Sequence, residues 1–238
     1  MPHLSNLSSL FPADIQHSFE KNELAFLALT TKVEGVLRDK IAWLLNLQIG
    51  RECLLIREWT GSNLNRHDLV IMNKSNQKLE SIIEFKNQLG FVIPTPEYSH
   101  ALTKDLLRSA KTIEQKNEGD FEKSEILFVM FGRTLENIPN GNDPNVRQAV
   151  KYLDGAIKDC DKMLQKKPID YQEQFDLFEN HWEEWLNNAK IPQNKRLWLD
   201  PIHGGSFLNI GINIITSLIG PFSAQEIFDL NTKYWHLQ

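Results

Sequence analysis

Apolar and polar positions change their spacing several times along the chain, and each change marks an element. From about residue 19 to 47 the apolar positions recur at helical intervals, with Leu37, Ile41, Leu44 and Leu45 along one face, so one long helix is predicted. Glu34 precedes Leu37 by three residues and Ile41 by seven, which puts it on that inward face. Residues 51–59 read as a strand closed by the turn Thr60-Gly61-Ser62-Asn63. Two further short apolar runs, 66–72 and 79–86, are strand-like and joined by a polar turn over 73–77. Thr95-Pro96-Glu97 then supplies a cap, a proline for the first helical position and an early acid. A helix to about 116 follows, with Leu102, Leu106, Ala110 and Ile113 as its apolar stripe.

Residues 125–131 are almost continuously apolar, as in a strand buried on both faces, and 132–144 read as a loop. Asp143-Pro144 predicts a helix to about 165 carrying Val146, Val150, Leu153, Ile157 and Leu164. Residues 170–189 predict another helix, with Phe175, Phe178, Trp182 and Trp185 inward and Glu173, Asp176, Glu179, Glu183 and Glu184 as a solvated face. Two strands, 196–200 and 207–216, flank Pro201-Ile202-His203-Gly204-Gly205, and Leu208, Ile210, Ile212 and Ile214 alternate with polar or small residues. Ser223 with Glu226 forms a capping box for a final helix ending near Trp235.

The composition keeps this an ordinary globular chain. Its 238 residues suit one domain with elaborations, and 41% hydrophobic and 24% charged residues are typical of soluble proteins. A net charge of −5 gives no global basic footprint, although a local basic groove is compatible with it. The first residues lack a basic, apolar leader, and the longest apolar stretch, about 14 residues over 207–220, is too short to span a bilayer. Cys53 and Cys160 are isolated, with no disulfide framework or thiol zinc spacing. A cytoplasmic protein with no membrane partner is expected.

Candidate chemistry concentrates on the two short runs. In a strand Glu84 and Lys86 point one way, and Ile83 and Phe85 the other. If the runs pair, Asp68 approaches Glu84 and Lys86 at one end of a sheet. Two carboxylates and an ammonium there suit a divalent cation and a phosphate. The plainer alternatives stay open: Glu84 and Lys86 as an exposed ion pair, Asp68 as a strand-starting residue, and Glu34 paired with Arg38 four residues on. His67 should alternate to the face opposite Asp68 and pack, and His203 suits a tight turn. No Gly-rich phosphate loop is present. Lys104, Arg108 and Lys111 form a basic stripe on the helix after the site, able to track a phosphate backbone or simply to face solvent.

The order αβββαβ, with Asp68 on the second strand and Glu84-Phe85-Lys86 on the third, resembles the core of the PD-(D/E)xK nuclease superfamily. The resemblance covers roughly residues 20–131, with 132–238 as a C-terminal elaboration of helices and a strand pair. One departure is His67, where the motif carries proline. The resemblance implies a restriction-endonuclease-like α/β fold, a central mixed sheet flanked by helices. It implies Asp68, Glu84, Lys86 and Glu34 as the catalytic set. It further implies Mg²⁺, or Mn²⁺ in its place, on Asp68, Glu84, the Phe85 carbonyl and Glu34. Its implied activity is an endonuclease on double-stranded DNA, of the type II restriction or phage-defence kind, working as a homodimer. A binding module without catalysis, or a structure-specific nuclease, are the alternatives.

Overall fold

Six strands among the described residues hydrogen-bond into one mixed sheet in the computed structural model, which describes residues 13–61, 65–89, 96–120, 123–137 and 170–237. The chain runs α1 (Ala13–His17), α2 (Glu23–Thr30), α3 (Val33–Gln48), β1 (Cys53–Thr60), β2 (Arg66–Asn73), β3 (Leu79–Leu89), α4 (Pro96–Lys116) and β4 (Glu125–Glu136). It continues with α5 (Tyr171–Asn188), β5 (Arg196–Phe207), β6 (Ile210–Phe222) and α6 (Ala224–Leu230). The sheet order is β1-β2-β3-β4-β6-β5. Only β3 and β4 are parallel, and α4 makes the crossover that a parallel pair requires. The helix expected over 144–165, and Cys160 with it, lies outside the described residues.

The single long helix expected at the start is two. Thr30 and Thr31 turn their hydroxyls back onto the carbonyls of Phe26 and Leu27, at 2.7 and 2.8 Å, and Thr31 is extended. Side chains that bond the preceding turn compete with helix continuation, and α3 restarts at Val33. The break swings α2 over β5 and β6 while α3 covers β1 to β3. This places Glu34, in the first turn of α3, over the carboxyl end of β3.

Two apolar cores sandwich the sheet. On one face Leu37, Ile41 and Leu45 of α3, with α1 and α2, pack on Leu69, Ile83, Phe85, Val129 and Phe131. On the other, Leu102, Leu106, Ala110 and Ile113 of α4 and Trp182 and Trp185 of α5 cover Val70, Ile82, Phe128 and Met130. The indole N–H of Trp182 donates to Ser217, 2.9 Å away, so its ring is buried without an orphan donor. Glu183 leaves the solvated face expected for α5, accepting from Arg196 and from the Trp198 indole.

The C-terminal half is built into the same sheet, because β6 pairs with β4 over most of its length. Both terminal strands are longer than the pattern indicated. Pro201 to Gly205 lies within β5, and the reversal comes instead at Leu208 and Asn209, both left-handed at φ 51° and 63°, as a two-residue hairpin requires. The expected capping box of Ser223 and Glu226 is present at α6. No helix among the described residues is long and apolar enough to cross a membrane.

The strand expected to end at residue 131 runs on to Glu136 through Gly132. A β-carbon on Gly132 would lie 2.7 Å from the Phe178 ring. Glycine therefore lets α5 sit directly on β4. Gly132→Ala is expected to cost about 1–3 kcal/mol by forcing these elements apart, read as a lower melting temperature. An unchanged melting temperature would mean that α5 moves away freely.

Candidate active site

The pairing of β2 with β3 stops at Leu69 and Ile83, and the two strands fork beyond that point. Glu58 on β1, across from Asp68, has φ 51°, a left-handed conformation that interrupts the alternation of faces. Beyond it Trp59 packs into the α4-side core and stacks on His67 at 6.1 Å. His67 thus enters the site from the same side as Glu84, contrary to the regular alternation expected for it. The Asp68 side chain takes over where the ladder ends: its Oδ2 accepts the Phe85 N–H at 2.9 Å.

Glu84 is buried, with 1% of its surface exposed, and its Oε1 is saturated. It accepts from His67 Nδ1 at 2.6 Å, Arg108 Nη2 at 3.1 Å and Ser109 Oγ at 3.2 Å. His67 Nε2 in turn lies 3.0 Å from the Thr112 hydroxyl, so the ring bridges Glu84 and α4. Burial pushes the Glu84 carboxyl up, but the His67 bond and the Arg108 charge outweigh it and hold Glu84 below its ordinary range.

Asp68 behaves in the opposite way. Burial raises it first, and the adjoining Glu84 carboxylate raises it further; the two carboxyls are close enough to share a hydrogen bond. Arg38, 3.9 Å from Asp68 Oδ1, is tied more tightly to Asp39 and Glu58. Glu34 is also raised, by burial and then by Asp68, while it accepts the backbone N–H of Asn87. Lys86 is lowered by burial but raised more by Asp105, whose Oδ2 lies 3.1 Å from its Nζ, and by Asp68 and Glu34. Arg108 bridges Asp105 and Glu84, closing a chain from Glu84 through Arg108 and Asp105 to Lys86.

The four residues singled out from the sequence, Glu34, Asp68, Glu84 and Lys86, therefore converge. Of the expected basic stripe, Lys104 and Lys111 are exposed, whereas Arg108 turns inward to the carboxylates. Asp105, Ser109 and Thr112 had drawn no notice in the sequence. Their signal was a second helical stripe, 105-108-109-112, polar yet adjacent to the apolar one. His203 is exposed on β5, with Nδ1 2.7 Å from Asn213 Oδ1, and Asn209 sits at the hairpin tip.

Counting Glu34, Asp68, Glu84 and Asp105 against Arg38, Lys86 and Arg108 leaves one negative charge in excess. Arg38 lies 3.9 Å from Asp68 Oδ1, and the two central carboxylates touch each other. This hard-oxygen pair fits Mg²⁺ or Mn²⁺, which take one or two carboxylates and fill the rest with water and phosphate. Among the described residues, no group of three or more His, Cys, Asp or Glu is gathered so that it could hold a metal ion. A cavity of about 620 Å³ lies elsewhere, at the amino-terminal ends of β3 and β4, and there Lys78 and Lys195 are already paired with Asp120 and Glu226.

Compared with protein-family models, curated proteins and solved structures, the chain matches none of them.

Asp68→Asn replaces a carboxyl conflict by an amide able to donate to Glu84 while still accepting from Phe85. The variant is expected to gain about 1 kcal/mol, a rise of roughly 2–4 °C in melting temperature. A fall would mean that the attraction of Asp68 to Arg38 and Lys86 outweighs its repulsion by Glu84.

Proposed function

We propose that the chain is a Mg²⁺-dependent endonuclease hydrolysing phosphodiesters of double-stranded DNA, with Mn²⁺ as a substitute ion. One observation carries this reading: the Asp68 and Glu84 carboxyls meet at the β2–β3 fork, coupled to Lys86 and Glu34. The element order, with β1 to β3 antiparallel and β4 parallel to β3, supports a restriction-endonuclease-like core. A restriction or phage-defence setting and a homodimer are the context that the resemblance brings.

Asp68 and Glu84 would hold the cation, with Glu34 and the Phe85 carbonyl as further oxygens. The bound ion would supply an activated water and offset phosphate charge. Asp68 is fixed for this task by Phe85, and Glu84 by its three donors, so little reorganisation is needed on loading. Lys86, kept protonated by Asp105, serves as a hydrogen-bond donor to the phosphate oxygen where negative charge develops. As an ammonium it has no lone pair with which to take a proton from the attacking water. Glu34, a raised carboxyl on the facing helix, would orient that water.

A second reading, a binding module without catalysis, draws on Glu84. Its charge is already met by Arg108 and His67, as a purely structural carboxylate's would be.

Plasmid and linear duplex should be cut in Mg²⁺ or Mn²⁺ by the wild-type chain, and at least about 10²-fold more slowly by Asp68→Asn and Lys86→Ala. Equal, undetectable cutting by all three, on varied and branched DNA and on RNA, would leave the binding module. In calorimetric titration, Glu84→Gln should weaken Mn²⁺ binding about tenfold or more. An unchanged affinity would remove Glu84 from the metal site.

A further inference from the structure

Arg133 on β4 stands apart from the other sheltered arginines. Arg38, Arg108 and Arg196, each with under a third of its side chain exposed, are paired with Asp39 and Glu58, with Glu84 and Asp105, and with Glu183. Arg133 is 8% exposed and has no carboxylate partner among the described residues. Its Nη1 donates to the Ala28 carbonyl at 2.8 Å, near the C-terminus of α2, while its Nε is buried with no acceptor. A single neutral carbonyl does not offset the desolvation of a guanidinium. Burial alone brings its pKa down to about 10. The bond to Ala28 uses one of the guanidinium donors, and the buried Nε–H is left without an acceptor among the described residues, whereas a guanidinium is built to meet the oxygens of a phosphate or carboxylate.

Its place in the sheet narrows the ligand. Lys86 pairs with Met130 across the parallel ladder, and Arg133 lies three residues farther toward the carboxyl end of β4, about 10 Å along the strand. It shares the face of Phe131 and Leu135, the side from which Glu34 enters. Ligands of open α/β sheets bind at these carboxyl ends. We propose that Arg133 is an anion receptor that holds a backbone phosphate of the nucleic acid, neighbouring the phosphodiester at Asp68 and Glu84. The identity of the carrier rests on the nuclease reading, whereas the anion site itself does not.

The test uses the full chain in EDTA, so that neither metal nor cleavage enters. Inorganic phosphate, against chloride at matched ionic strength, should raise the wild-type melting temperature by about 2–4 °C and leave Arg133→Met unmoved. With a labelled duplex titrated between 50 and 200 mM NaCl, Arg133→Met should lower the slope of log affinity against log salt by about one. Arg133→Lys should retain that slope. If phosphate stabilises the wild type but no duplex binds, the anion site stands and the nuclease reading falls. Absence of any phosphate effect on the wild type, with Arg133→Lys folded, would make Arg133 a structural cap of α2 and overturn the proposal. So would an unchanged salt slope in Arg133→Met.

Discussion

A carboxylate with 1% of its surface in water has to be matched inside the protein, and much of this fold is arranged around that requirement at Glu84. An unmatched buried charge costs several kcal/mol, comparable with the whole stability of a domain. His67, Arg108 and Ser109 meet the requirement on one oxygen of the group. To deliver them, β2 must reverse its facing at Asp68, and α4 must lie over β3 with its polar stripe inward. The crossover helix between the two parallel strands is thus held by a polar stripe of Asp105, Arg108, Ser109 and Thr112 running beside the apolar stripe of Leu102, Leu106, Ala110 and Ile113.

The same arrangement leaves Asp68 with the Phe85 N–H but without a close cation of its own. Arg108 spends itself on Glu84 and Asp105, and Arg38 on Asp39 and Glu58, so Asp68 meets a neighbouring carboxylate with only distant cations. Two carboxyls in contact, one held below its ordinary range and one above, are a local electrostatic conflict. Arg133 is the complementary case, a cation sheltered without an anion. Both imbalances lie toward the carboxyl end of the parallel pair.

The element order could be read from periodicity, since strands and helices differ in the spacing of their apolar residues. Boundaries failed where long-range contact overrode local signals. Gly132 reads locally as a loop opening, yet β4 continues through it because β3 and β6 pair with it on both sides. Pro201 to Gly205 looked like a turn, yet it stays in β5 along its partner β6. Thr30 and Thr31 did carry a local signal, a hydroxyl pair able to bond the preceding turn, that outweighed the helical spacing around them.

In the candidate site, local chemistry alone determined that Glu84 and Lys86 share a side and that Glu34 faces inward, because those relations depend only on the repeat of a strand or a helix. Whether a given charge is balanced depends on groups far away in sequence. His67 reaches Glu84 only because β2 leaves regular alternation where its pairing with β3 ends. Arg108 leaves the basic stripe only because α4 packs with Asp105 and Ser109 toward β3. The sequence by itself thus determined which polar residues stand at the end of this sheet. The tertiary structure decided which of them are neutralised and which remain open to a ligand, since charge balance is a property of distances that only the folded chain defines.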